Sequence, residues 1–407
     1  MVISPIDFAF SHDANRPQPL ETFFALGGDR VFDPSKVAMF LDHAPNSHTP
    51  AVAEMHRMMR SFAADQGIKI YPAGRGISHQ VIPEEGHAVP GRLIVGSDSH
   101  TCTAGAFNLL ATGVGSNDLA VAMMLGKLWF KVPQTIRFMV EGSLSSGVFS
   151  KDLILHMIGI VGADGANYRA VEFLGSGIRE LDMEARMTIT NMAVEMGAKF
   201  GIMEVDEVTR RWLSNKGITG WQRYDTDLEA EVEAIYHVRA DELVPMVAAP
   251  PSPDKVSPVT DFAGTKIQQA TIGTSANGQL DDLRAAAEVL RGNKIAPGVK
   301  LYVTAASKLA YIAAQHEGLI ELFVEKGALM GNPGCSGCTG ASGFGTPGDG
   351  EKMITSANRN FIGRTGNNKA EIYLASPATV MASAIEGAIA DPRPYFFGSS
   401  KTGSKSS

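Results

Sequence analysis

Leu93-Ile94-Val95-Gly96-Ser97-Asp98-Ser99-His100 sets four apolar residues directly against four polar ones. An uninterrupted apolar run of that length reads as a short strand buried on both faces. Val37-Ala38-Met39-Phe40-Leu41, ending at Asp42-His43, repeats the pattern. Around these runs, Pro50 to Asp65 and Leu119–Lys127 read as helices, the first with apolar residues at helical spacing. Strand, polar loop and helix in alternation predict α/β architecture with parallel strands. Such sheets place their sites at polar residues just past strand ends.

The same rhythm continues along the chain. Thr135–Val140 reads as a strand, Lys151–Val161 as a helix, and a further helix runs through Arg186–Lys199. Ala248–Pro258 carries four prolines in eleven residues and reads as a linker. Beyond it, Ala270–Gly273 and Lys300–Ala305 are strand candidates flanking a helix at Asp281–Arg291. The expected division is three α/β units at 1–130, 131–262 and 263–397, followed by a low-complexity, disordered tail at 398–407.

Composition narrows the function. The 407 residues are 44% apolar and 19% charged, which is globular and excludes a disordered chain. A net charge of −7 with no basic run argues against nucleic acid. The longest apolar stretches, such as Leu119–Leu128, are too short to span a bilayer, and the first residues carry no signal-peptide pattern. Three cysteines make no disulfide framework. A soluble cytoplasmic enzyme is expected.

Four stretches could carry chemistry. Eight of the ten histidines precede residue 160, and three sit in polar clusters: Asp42-His43, Ser78-His79-Gln80 and Asp98-Ser99-His100. A carboxylate beside an imidazole raises its pKa and suits it to general acid work. Singly, each cluster reads more readily as an ordinary buried polar group; three of them in one α/β block point as much to a shared site. Cys335-Ser336-Gly337-Cys338 has the spacing for one metal or cluster, or for a redox dithiol. Arg359 and Arg364, in a loop rich in Asn and Gly, are suited to gripping carboxylates, although a solvated loop would look the same. Gly273-Thr274-Ser275-Ala276-Asn277-Gly278 opens into a helix, as an anion-facing turn does and as plain N-capping does.

Taken in order, these stretches resemble the aconitase family of iron–sulfur hydro-lyases, in particular its two-chain isopropylmalate dehydratase branch. The resemblance runs from Phe10-Ser11-His12-Asp13 to Ser376-Pro377. It is most specific at Asp42-His43, at 76–80 (GISHQ), 95–103 (VGSDSHTCT) and 191–199 (NMAVEMGAK), at Pro333–Cys338, and at 358–364 (NRNFIGR). It implies three aconitase-like domains around a cleft, without the swivelling fourth domain, which a separate small subunit would then carry. It implies a [4Fe–4S] cluster on three cysteines, two of them matched by Cys335 and Cys338. Asp42 and His43 match the pair that helps the hydroxyl leave. His79, Asp98 and His100 match cleft side chains, and Glu195 matches the carboxylate near the open iron. Arg359, Arg364, Ser99 and Asn277 match substrate-binding positions. The implied reaction is dehydration and rehydration of a 3-isopropylmalate-like 2-hydroxy di- or tricarboxylate, as in leucine biosynthesis.

Two departures stand out. Ser275 occupies the position of the family's first cluster cysteine, and serine oxygen is a harder, weaker ligand for iron than thiolate. Cys102 does not substitute by resemblance, because relatives carry it beside all three ligands. Asn15 and Arg16 replace the family's Thr and Gly. The alternative reading is therefore a cluster-poor relative, either a metal-independent lyase or a protein that binds a carboxylate or a partner.

Overall fold

The computed structural model of the chain describes residues 1–15, 18–340 and 344–396. The tail at 398–407 and Arg16 lie outside them. Three larger sheets organise the described residues, beside a two-stranded antiparallel one that pairs Val2–Pro5 with Lys127–Phe130. In the first, Lys69–Tyr71, Val37–Phe40, Phe8–His12, Leu93–Gly96 and Leu110–Gly113 lie side by side, all parallel. In the second, Phe200–Met203, Ala170–Leu174, Thr135–Glu141 and Ala234–Arg239 are also all parallel. The third has seven strands, five of them parallel, built around Gln269–Ile272.

Local sequence explains the elements. The central strands are continuous apolar runs because helices cover both faces; Val37–Phe40 and Leu93–Gly96 are fully buried. The helix Pro50–Gln66 starts where the Thr49 hydroxyl accepts the Val52 N–H and Pro50 sets the first φ, and it stops at Gly67 with φ +69°. One apolar cluster holds Ala9, Met39, Val95 and Phe62; another, drawn from the same sheet, holds Phe10, Phe40, Ile94 and Phe107. The second and third sheets share packing, since Ile372 and Leu374 join the core of Phe138 and Phe173.

Three expectations change. Ala248–Pro258 is not a free linker: Met246–Ala248 and Val256–Pro258 form an antiparallel hairpin that pairs with Glu371–Leu374 at the edge of the third sheet. Its prolines sit in the turn and at the edge strand, where a missing N–H costs no ladder bond. The helix through Arg186–Lys199 ends early. An α-helix covers Met183–Met192 and gives way at Ala193 to a 3₁₀ turn over Ala193–Met196, which Gly197 at φ +89° stops. Leu119–Lys127 is likewise a helix over Ser116–Leu125, and Lys127 already belongs to the strand Lys127–Phe130. The units at 1–130, 131–262 and 263–397 are retained as a proposed division, with the hairpin strand Met246–Ala248 crossing it.

Candidate active site

Polar residues just past the ends of the parallel strands converge in a cleft of about 270 Å³. His12 ends one strand and His43 follows the next. Ser97, Asp98, Ser99 and His100 follow a third, where the Asp98 side chain caps the 3₁₀ segment Ser99–Phe107 by accepting the His100 N–H. Across the cleft stand Ser275, Cys335, Cys338, Arg359 and Arg364.

Asp98 is the hub. Four imidazoles face its carboxylate: His79 Nε2 at 3.1 Å, His43 Nε2 at 3.2 Å, His100 Nδ1 at 3.4 Å and His12 Nε2 at 3.5 Å. Burial pushes the Asp98 carboxyl up, but the His79 charge and the surrounding imidazole hydrogen bonds outweigh it and hold it well below the usual range. His43 Nδ1 donates to Asp42 Oδ1 at 2.7 Å. Burial pulls the His43 pKa down, yet the Asp42 charge and hydrogen bond raise it well above the ordinary value, which favours the protonated ring. Asp42 in turn accepts the Ser78 N–H at 2.7 Å, and its carboxyl is held low.

A second carboxylate lies one layer deeper. Glu195, 4% exposed, accepts His100 Nε2–H at 2.7 Å and Arg359 Nε–H at 2.8 and 2.9 Å. With Nε2–H committed to Glu195, His100 turns Nδ1 towards Asp98. Asp42, His79 and Glu195 thus stand behind the cleft wall and orient His43, Asp98 and Arg359, which line it.

The thiols sit on a loop anchored to the histidine side, because the Cys335 N–H donates to the Asp42 carbonyl at 2.8 Å. The Cys335 thiol hydrogen-bonds the Cys338 sulfur, and Arg364 Nη2 donates to that same sulfur at 2.9 Å. The Cys335 hydrogen bond and the Arg364 guanidinium hold Cys338 well below the usual thiol range against its burial, while the same thiol–sulfur bond and burial push Cys335 up. The Ser275 hydroxyl shares hydrogen bonds of 3.2 and 3.3 Å with the Asn358 amide, which is itself bonded to Asn191. The donor set fits an iron–sulfur group through sulfur at two positions and through oxygen at the third. Cys102 is buried elsewhere: its thiol donates to the Asn191 carbonyl at 3.4 Å and burial pushes it up to about 12.

Not every expected residue reaches the cleft. Asn277 is buried with its amide on Asp282 Oδ1 at 3.0 Å, so it supports the start of the helix Leu280–Leu290 and does not line the cleft. Ser99 does line it. Other residues were missed. His12 stacks on His43 at 4.3 Å between ring centroids. Asp13 accepts the backbone N–H groups of Asp42, His43 and Ala44, and its Oδ2 meets His56 Nε2 at 2.8 Å. The signal was present, since His12-Asp13 follows an apolar run as Asp42-His43 does. Lys151 gave no local signal. Its buried Nζ donates to the carbonyls of Ser356 and Ala357, both at 2.8 Å, and so fixes the loop that carries Asn358 and Arg359.

The family model described as Aconitase family (aconitate hydratase) matches residues 2–266 and 258–387. The chain belongs to the aconitase family. It is 45% identical to a probable 3-isopropylmalate dehydratase large subunit of Methanothermobacter thermautotrophicus, covering 96% of this chain and 94% of that one. It is 43% identical to a probable methanogen homoaconitase large subunit of Methanosarcina mazei, covering 96% and 100%. These aconitase-family relatives are named for different substrates at nearly equal identity, so identity alone does not select one. Among solved structures, Thermococcus kodakaraensis aconitase X matches with a TM-score of 0.57 at 14% identity, over 94% of this chain and 90% of that one. That likeness shows the aconitase-like fold. No helix among the described residues is long and apolar enough to cross a membrane.

Proposed function

We propose that this aconitase-family chain is the large partner of a two-chain hydro-lyase. It dehydrates and rehydrates a 3-isopropylmalate-like 2-hydroxy di- or tricarboxylate, shifting the hydroxyl. The observation that carries the reading is one cleft holding a carboxylate ringed by four imidazoles opposite two thiols and two guanidinium groups. Expelling hydroxide next to a carboxylate needs an acid, a cation for the carboxylate and a Lewis acid together.

Each resident group takes one task. His43, protonated at both ring nitrogens and braced by Asp42, gives the Nε2 proton to the departing hydroxyl. Asp98 holds that proton's direction and stabilises the imidazolium between turnovers. Arg359 and Arg364 take substrate carboxylates. Arg364 Nε is buried with no hydrogen-bond partner among the described residues, as a donor awaiting an anionic ligand is. Cys335, Cys338 and Ser275 would hold an iron–sulfur group, which supplies Lewis acidity to the substrate hydroxyl and an adjacent carboxylate. We further propose that a small subunit closes the cleft and brings the base, following the relatives named as large subunits, and that the pair works in the cytoplasm.

The test is anaerobic reconstitution of the chain with its small subunit, followed by iron and acid-labile sulfide analysis and by ultraviolet detection of the enoate. About four irons per chain and turnover of 3-isopropylmalate or a homologous hydroxy acid are expected. Ser275→Cys should retain iron longer in air than the native chain. An iron-loaded complex that turns over no 2-hydroxy dicarboxylate or tricarboxylate sinks the proposal.

A further inference from the structure

A second cavity, of about 520 Å³, lies beside the cleft and serves none of the steps above. Its wall towards the cleft is the loop carrying Ser97 and Ser99, the two neighbours of Asp98. Its floor runs from Val194, the neighbour of Glu195, to Lys199. An occupant therefore touches the chain on either side of Asp98 and next to Glu195, the two buried carboxylates that organise the site.

The lining has a defined chemistry. Leu128, Val114 and the half-exposed indole of Trp129 give an apolar surface. Lys199 supplies a partly buried ammonium. It donates to the Gly113 carbonyl at 3.2 Å, lies 5.7 Å from the Tyr168 ring centroid, and forms no ion pair among the described residues. Asp118 is the acidic group that acts on it. A desolvated cation with no contact ion pair among the described residues, facing a cavity, favours an anionic guest.

The backbone around this floor is strained. Tyr168 adopts φ +59°, a left-handed conformation that a bulky residue avoids. It is held there by two turns zipped together: Ala166 N–H to the Met196 carbonyl at 2.8 Å, Tyr168 N–H to the Gly197 carbonyl at 3.0 Å, and Lys199 N–H to the Arg169 carbonyl at 2.8 Å. Gly197 permits the approach, since a Cβ there would meet Asn167 Cα at 2.9 Å. Strain of this kind persists where the surroundings over-determine it, and it concentrates at ligand clamps.

We infer that this cavity binds a small amphipathic carboxylate, its anionic end on the Lys199 ammonium and its apolar body against Leu128, Val114, Trp129 and Tyr168. The shared chemistry could come from a plain carboxylic acid or from an α-amino acid whose ammonium meets Asp118. The inference is independent of the reaction assigned to the cleft.

The experiment is calorimetric titration of the full chain with 3-phenylpropanoate and with phenylalanine, paired with tryptophan emission. Saturable binding of at least one probe is expected, with an emission change that Trp129→Phe removes. Lys199→Met should weaken binding at least about tenfold, the loss of one charge-assisted contact. Ala198→Phe should fill the cavity and abolish binding. Tighter binding of phenylalanine assigns the ammonium to Asp118; binding of 3-phenylpropanoate alone assigns a plain carboxylate. Binding of neither probe overturns the inference, and so does binding that Lys199→Met leaves unchanged. Circular dichroism checks that each variant is folded, and Lys199→Met decides the matter if Ala198→Phe does not fold.

Discussion

Replacing Glu195 by Gln keeps the shape of the side chain and removes one buried charge. The carboxylate accepts three charge-assisted contacts at 2.7, 2.8 and 2.9 Å from His100 and Arg359. A glutamine can still satisfy both neighbours. Its oxygen accepts from Arg359 Nε, and its NH₂ donates to His100 Nε2 once His100 shifts its proton to Nδ1, where Asp98 can accept it. What is lost is the ionic part, and Arg359, with 20% of its side chain exposed, keeps some solvent. The expected cost is about 2–3 kcal/mol, the difference made by a charged partner. Glu195→Ala leaves two buried donors facing each other and should cost about 3–5 kcal/mol. Hydrogen exchange reads this locally. If Glu195 pins the 356–364 loop, its amides should exchange about 30- to 140-fold faster in Glu195→Gln at about 1.4 kcal/mol per decade, and faster still in Glu195→Ala. Exchange within threefold of the native chain in both variants refutes the reasoning, because it would mean that Lys151 alone holds the loop.

Three further outcomes are expected. Asp42→Asn removes the charge that raises the His43 pKa, so the alkaline limb of the kcat/KM profile of the reconstituted enzyme should move to lower pH; an unmoved limb would clear His43 of the acid role. Burial, together with Asp281, Asp282 and Asp182, raises Glu184 to about 8. The folded chain therefore keeps a proton that the unfolded chain releases near pH 4, and stability falls as pH climbs between those values. Glu184→Gln should flatten that fall and gain about 1–3 kcal/mol at alkaline pH, less than the full shift implies because the side chain is partly exposed; parallel melting curves for variant and native chain across pH would contradict it. Gly105→Ala would place a Cβ 1.7 Å from the Gly201 carbonyl oxygen, backbone that cannot swing aside. That variant should lose at least about 3 kcal/mol or fail to fold, and a native melting temperature would show that the contact yields.

The parallel strands were legible because burial on both faces leaves unbroken apolar runs, as at Val37–Phe40 and Leu93–Gly96. Helix ends were less so. Gly197 punctuates Met183–Met196 through its positive φ, which an apolar spacing pattern does not register. The hairpin at 246–258 was hidden by its prolines, which read the same in a linker as on a sheet edge. In the site, paired Asp-His motifs announced themselves locally. The layering did not: that Asp42 and Glu195 brace while His43 and Arg359 face the cleft depends on contacts between residues far apart in sequence. Lys151 illustrates the limit, since its partners lie 205 and 206 residues away.

Glu195 also bears on how the chain comes to be made. Its partners arrive 95 residues before it and 164 residues after it. During synthesis, the segments carrying Asp98, His100 and Glu195 leave the ribosome well ahead of Arg359 and Arg364. Until then the nascent cleft holds buried acids with imidazoles alone to balance them. The first half of the chain can form its sheets early, yet its cleft stays electrostatically unfinished and open to water. Closure of the last third is then the event that settles both fold and charge, and a stalled or truncated chain would display that acidic, incompletely packed face to the quality-control machinery.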